Sequence, residues 1–265
     1  MVFKKSLFTL CVASALAASG PIAANPSESE EGGAQSACKG LPTQAALKAA
    51  LTTARGAGNG GFNLDMWGSI VNRDGVVCAV AFTGSNRGSQ WPGSRVISAQ
   101  KANTANAFSL PGLALSTANL WAAVQPGGSL FGLQHSNPVS TAVAYKGPSK
   151  NYGQANDPMV GNKIGGVNVF GGGLALYNAD HVLVGAVGVS GDTSCADHNI
   201  AWRTRHNLSL NFVPGGVGPA PRADNINYVG NAANTALQKD FTHPVCAIAG
   251  VDGVSAISAA LPPTQ

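Results

Sequence analysis

Outside residues 28–31 this 265-residue chain has no glutamate, since Glu28, Glu30 and Glu31 are all it contains. Paired-carboxylate chemistry would have to come from dispersed aspartates such as Asp65, Asp74, Asp157, Asp180, Asp192 and Asp197. That argues against a glycosidase and against a carboxylate-rich cation cage. No Cys-x-x-Cys occurs, so zinc-ribbon and thioredoxin-like readings lose their usual support. No His-x-x-x-His occurs among His135, His181, His198, His206 and His243. His198 and His206 would stand about two helical turns apart, too far to share a metal. Past residue 24 no run of about 18 residues is continuously apolar, so no membrane span is expected.

What is present begins with an export signal over residues 1–24. Lys4 and Lys5 precede an apolar stretch from Leu7 to Ala18, and Ala24 suits the cut. Cys11 is no lipid anchor, because Leu10 stands where a small residue is needed. The product is expected in the periplasm or outside the cell. Removing the two lysines of the signal from 16 basic residues leaves 14 against 12 acids, a net charge of +2. Such a small, scattered charge gives no nucleic-acid surface. Cys38, Cys78, Cys195 and Cys246 remain, an even number that suggests two disulfides among three pairings. Cys195 precedes an expected helix and Cys246 lies in a tail with little else to hold it. A Cys195–Cys246 bond follows, and by elimination Cys38–Cys78.

Along the chain, residues 25–40 read as a flexible leader and residues 41–212 as one domain. Residues 213–265 form an irregular extension that wraps it. Leu47, Ala50, Leu51 and Ala54 mark a helical face over residues 41–55. Strands at 66–72 and 76–82 flank Arg73-Asp74-Gly75, a hairpin whose two turn positions are expected at positive φ. A helix over 94–108 follows, then a strand at 139–145 and a polar, glycine-containing loop at 147–166, functional or mobile. Strands at 174–177 and 182–189 precede the last helix, 197–208, with Asp197 or a preceding Ser or Thr near its N-cap. The order predicts an α+β fold, an antiparallel sheet of about five strands with helices packed on it in a profilin-like layered domain. A sheet covered by few helices, with a glycine-rich strand at 182–189, predicts a homo-oligomer.

Two glycine patterns carry possible chemistry. Gly56-Ala57-Gly58-Asn59-Gly60-Gly61 satisfies G-x-G-x-x-G, but it follows a helix and precedes a strand, so a helix-to-strand turn is expected rather than a dinucleotide site. Gly188-Val189-Ser190-Gly191 is half of a nucleophile elbow, with Asp192 where the closing glycine belongs. Free backbone amides between Gly191 and a helix start would suit a carboxylate. Close packing of strand on helix explains the same glycines equally well.

Gly172-Gly173-Leu174-Ala175-Leu176, then Gly185-Ala186-Val187-Gly188-Val189-Ser190-Gly191 and Asp197…Ile200-Ala201, resemble the GlcG/HbpS-like haem-binding family. Val71-Asn72-Arg73-Asp74-Gly75 and Lys101-Ala102-Asn103-Thr104-Ala105 fit in order. Ala175 stands where that family has proline, and the 147–166 loop and the tail depart from it. The resemblance implies a haem-binding protein for storage, sensing or scavenging, with no catalytic residues assigned. Propionates, or a small organic acid, are expected near Ser190, Gly191 and Asp197. His198 is the first choice of axial ligand, with His181 and His243 in reserve. The rival readings are an enzyme or accessory acting on an organic acid or tetrapyrrole, including haem degradation, and a ligand-free structural oligomer.

Overall fold

The computed structural model describes residues 36–246 and 254–265. The export signal, most of the leader and residues 247–253 lie outside the described residues. Strands β1 (Trp67–Asn72), β2 (Val77–Phe82), β3 (Gly173–Tyr177) and β4 (Leu183–Ser190) form one antiparallel sheet in the order β2-β1-β4-β3. Helices α1 (Gln44–Gly56) and α2 (Ser94–Phe108) flank the first hairpin in sequence. Two single turns, α3 (Leu133–Ser136) and α4 (Thr141–Ala144), precede the long helix α5 (Ser194–Asn207). The tail adds β5 (Asn227–Tyr228), α6 (Ala236–Asp240), β6 (Thr242–His243) and α7 (Val254–Ala259), with β5 and β6 paired in parallel.

Strand alternation sends side chains to two cores. Met66, Ile70, Val187 and Val189 meet Leu47 and Leu51 of α1 and Trp202 of α5 on one face. Trp67, Val71 and Ala186 meet Val96, Ala99 and Ala102 of α2 on the other. Both faces of the sheet are therefore covered. β4 lies between β1 and β3 and is almost wholly buried, so the strand expected to pack on a second copy is the centre of the sheet. A Cβ on Gly188 would lie 1.9 Å from the Ser98 carbonyl oxygen of α2. The glycines of this strand serve close packing.

Other expectations are corrected. Residues 139–145 are no strand, because Thr141–Ala144 forms the turn α4. Loop residues hold the outer edge of β2 through Val77 N to Asn162 O and Gly161 N to Val77 O, 2.9 Å each. The 147–166 loop is packed, with Met159 and Ile164 fully buried over the α2 face. Asp157 anchors it, accepting from Arg95 and from the amides of Gly153 and Met159. In the hairpin only Gly75 has positive φ, at +76°, and Asp74 does not. Asn72 Oδ1 takes the amides of Asp74 and Val76, and a register shift between Ile70 and Val71 absorbs the longer turn. Helix α5 starts at Ser194, three residues before the expected 197, because Thr193 Oγ1 accepts from Ala196 N and caps it.

Tail residues complete the structure around α5. Arg205 and Asp224 form a fully buried pair, and Trp202 Nε1 donates to Pro262 O at 2.9 Å. Both expected disulfides, Cys38–Cys78 and Cys195–Cys246, are formed.

Candidate functional site

The turn from β4 into α5 is where an anion was expected, and it is filled from within. Asp192 N donates to Asp197 Oδ1 at 2.8 Å, and Thr193 N donates to Asp192 Oδ1 at 2.6 Å. Cys195 N meets Cys246 Sγ at 3.2 Å and Ala196 N is held by Thr193. The Asp192 carboxylate also accepts from Phe62 N and Leu64 N, fixing the helix-to-strand turn read from the first glycine pattern. Ser190 Oγ donates to Ser94 Oγ at 3.2 Å and is buried. A Cβ on Gly191 would sit 2.3 Å from Asp65 O. Helix-start amides bind a foreign anion only when unpartnered, and these are taken.

Asp197 is held by Lys101 rather than by a ligand. Lys101 Nζ lies 2.8 Å from Asp197 Oδ2 and 3.1 Å from Val189 O. Burial pushes Asp197 up to about 6, against the pull of Lys101, and burial lowers Lys101 despite Asp197. The sequence reading marked Lys101 and Asp197 separately and missed the pair, since 96 residues separate them.

The histidines sort by exposure. His198 is fully buried, with Nε2 on Asn225 Oδ1 at 3.1 Å. Burial, then Arg205, drives it down to about 3. It faces no opening, because α5 turns it inward and the tail covers it. His243 is 2 % exposed, and burial lowers it to about 4. Its Nδ1–H donates to Pro244 O at 2.7 Å, leaving Nε2 to accept from Ser194 Oγ at 2.8 Å. His206 Nδ1 is held by Asn211. His135 is exposed on α3.

His181 differs. It is exposed at φ +58° in the β3–β4 turn, where Asn178 Oδ1 holds the amides of Asp180 and Val182. Its Nδ1 lies 3.0 Å from Phe212 O, and Phe212 meets the ring edge-on at 6.3 Å. A donating Nδ1–H leaves Nε2 with its lone pair toward solvent, the tautomer a metal takes. A groove of about 440 Å³ opens beside the same turn, with Asn178, Leu41, Val184 and Leu210 in its wall together with Lys39 and Arg73. Asp74 and Asn72 line the groove as well, and the Arg73 guanidinium is turned to Asn106 O and Ser109 O, so this side of the domain joins apolar wall and Lys39 to a pre-oriented imidazole on the adjoining turn.

The fold is a layered α+β domain, a four-stranded antiparallel sheet covered by helices on both faces. Residues 42–205 match the model of the haem-degrading HbpS-like proteins, and the chain belongs to that family. A solved Klebsiella pneumoniae protein, ORFY, is similar with 26% identity and a TM-score of 0.43, covering 63% of this chain and 90% of its own. A structure titled as a PduOC–haem complex is similar with 23% identity and a TM-score of 0.43, covering 62% and 89%. No curated protein matches the chain.

Proposed function

We propose that this chain is an exported protein that holds haem without transforming it, with His181 as axial ligand beside the Lys39–Arg73 groove. The observation that carries the reading is the His181 ring, exposed and oriented through Nδ1 by the Phe212 carbonyl. That hydrogen bond fixes the ring and raises the basicity of Nε2. Lys39 supplies positive charge for a propionate and Arg73, whose guanidinium donates to Asn106 and Ser109 O, adds to the field against Asp74, while Leu41, Val184 and Leu210 exclude water from the macrocycle. Bound haem would supply the iron's own redox and gas-binding chemistry. Family membership supports the ligand class, and the two disulfides support export. The holder is also proposed to be a homo-oligomer. What supports this is the set of large apolar side chains left in solvent, including Phe131 and Tyr145.

Haemin titration of wild type, His181→Ala and His135→Ala tests the reading. Wild type and His135→Ala are expected to give the same Soret band, and His181→Ala to lose or shift it. Absence of binding by wild type rejects haem, whereas an unchanged band in His181→Ala rejects the ligand assignment alone. With a reductant and oxygen present the band should persist. Steady bleaching would favour the degrading activity that the family's name describes. Light scattering that returns a monomer mass at micromolar concentration removes the oligomer.

A further inference from the structure

The tail is fastened to α5 by a disulfide that lies against a histidine. Cys195 is fully buried at the first turn of α5, Cys246 is half-buried in the tail, and His243 is three residues before it. The two sulfurs and the nearer His243 nitrogen all lie within 4.8 Å of one another, and Cys195 Sγ stands 4.0 Å from Nδ1. Among the described residues this is the one such cluster of His, Cys, Asp or Glu. We infer that Cys195, Cys246 and His243 form a redox-gated zinc site, closed by the disulfide when oxidised and loaded with zinc when a dithiol reductant opens it.

The donor set suits the metal. Two thiolates and one imidazole are borderline-soft ligands that zinc takes tetrahedrally, with solvent in a fourth position. Zn–S near 2.3 Å and Zn–N near 2.0 Å set an S···S separation of about 3.8 Å and an S···N separation of about 3.5 Å. The present 4.0 Å between Cys195 Sγ and Nδ1 is already close to that distance. The sulfurs must part, and Cys246, within 4.8 Å of the imidazole, sits on chain outside any helix or strand, where it can move without breaking one. The histidine needs only to change tautomer. Nδ1 gives up its proton and its bond to Pro244 O, while Nε2–H donates to Ser194 Oγ, which is already 2.8 Å away. Ser194 then becomes the outer partner that orients a metal-bound imidazole. Its oxygen is also held by Gly171 N at 2.7 Å.

Atoms and electrons balance. The dithiol passes two electrons and two protons to the Cys195–Cys246 bond and becomes a disulfide itself. The S–S bond breaks and two thiols form. Zinc then displaces one proton from each thiol, and the imidazole binds as the neutral base. The consequence is that the tail stays fastened to α5 in both redox states, by a covalent bond in one and by a metal in the other.

The test uses the whole reduced protein, freed of reductant under nitrogen, with cobalt(II) and zinc(II) as probes. One equivalent of cobalt is expected to give thiolate-to-metal charge transfer and tetrahedral d–d bands. Reduced Cys38→Ser/Cys78→Ser should give the same spectrum, oxidised wild type neither feature, and His243→Gln a weaker and shifted spectrum. Should a variant fail to fold, thiol alkylation of reduced wild type with peptide mapping decides alone. At zinc about ten times its dissociation constant, modification of Cys195 and Cys246 should slow about tenfold while Cys38 and Cys78 are unaffected. Equal shielding of all four thiols, no shielding, or cobalt bands indifferent to His243→Gln would overturn the site.

Discussion

Lys101 Nζ stands 2.8 Å from Asp197 Oδ2, joining α2 to α5 although these helices cover opposite faces of the sheet. The pair passes beside Gly172, where a Cβ would come within 3.2 Å of Nζ and 3.1 Å of Asp197 Cβ. A side chain there would close the passage. The glycine pair before β3 and the Lys and Asp of the two helices thus belong to one arrangement.

Breaking this pair from one side should be severe. Lys101→Met leaves the Asp197 carboxyl buried without its cation and is expected to cost about 3–5 kcal/mol in urea unfolding. Lys101→Met with Asp197→Asn should cost clearly less than the two single changes added together. Additive losses would show that the two groups are not coupled.

Gly188→Ala should be worse than a typical core change. The added methyl would overlap the Ser98 carbonyl oxygen at 1.9 Å, which is backbone and cannot swing aside. A loss above about 4 kcal/mol is expected, or failure to fold. Wild-type stability by thermal melting would mean α2 can move off the sheet.

Acid should destabilise the fold in a narrow window. Below pH 6.5 the unfolded chain protonates His198 and His243, while the folded chain holds them neutral down to about 3 and about 4. Their contribution is full above 6.5 and is lost as pH falls. Asp197 runs the other way, since its folded carboxyl, raised from 3.8 to about 6, takes a proton first and gains stability on acidification. Two protons favouring the unfolded state and one favouring the native state leave one net proton. Stability should fall by about 1.4 kcal/mol per pH unit from about 6 to about 4. His198→Gln should flatten that slope in urea titrations, and an unaltered slope would exclude His198 as its source.

Removing the tail's disulfide by Cys195→Ser/Cys246→Ser should cost about 2–4 kcal/mol. The loop it closes spans 51 residues of sequence. Chemical unfolding that shows no loss would mean the packing of Asp224, Asn225 and Leu261 against α5 holds the tail unaided.

Much of the architecture was legible in sequence because it rests on local periodicity. The apolar spacing of Leu47, Leu51 and Ala54 produced α1, and short β-prone runs bounded by turn residues marked β1, β2, β3 and β4 near their observed bounds. Thr141–Ala144 misled because four small or β-branched residues fit a strand or a turn equally, and the occupied edge of β2 decided between them. The 147–166 loop read as loose because its polar residues hid Asp157, whose buried partner Arg95 is 62 residues away.

By itself, then, the sequence determined the layered α+β class and the family, and it narrowed four cysteines to three pairings, from which the structure forms the expected Cys38–Cys78 and Cys195–Cys246. Each of these follows from short-range pattern or from a small number of combinations. Only the tertiary structure decided which of the proposed ligands, His198 or His181, is open. His198 and His181 look equivalent in a string of letters, but one is turned inward by α5 and sealed by Asn225, while the other is held in solvent by Phe212. Those partners lie 27 and 31 residues away, and burial, unlike periodicity, is set by whatever the rest of the chain brings alongside.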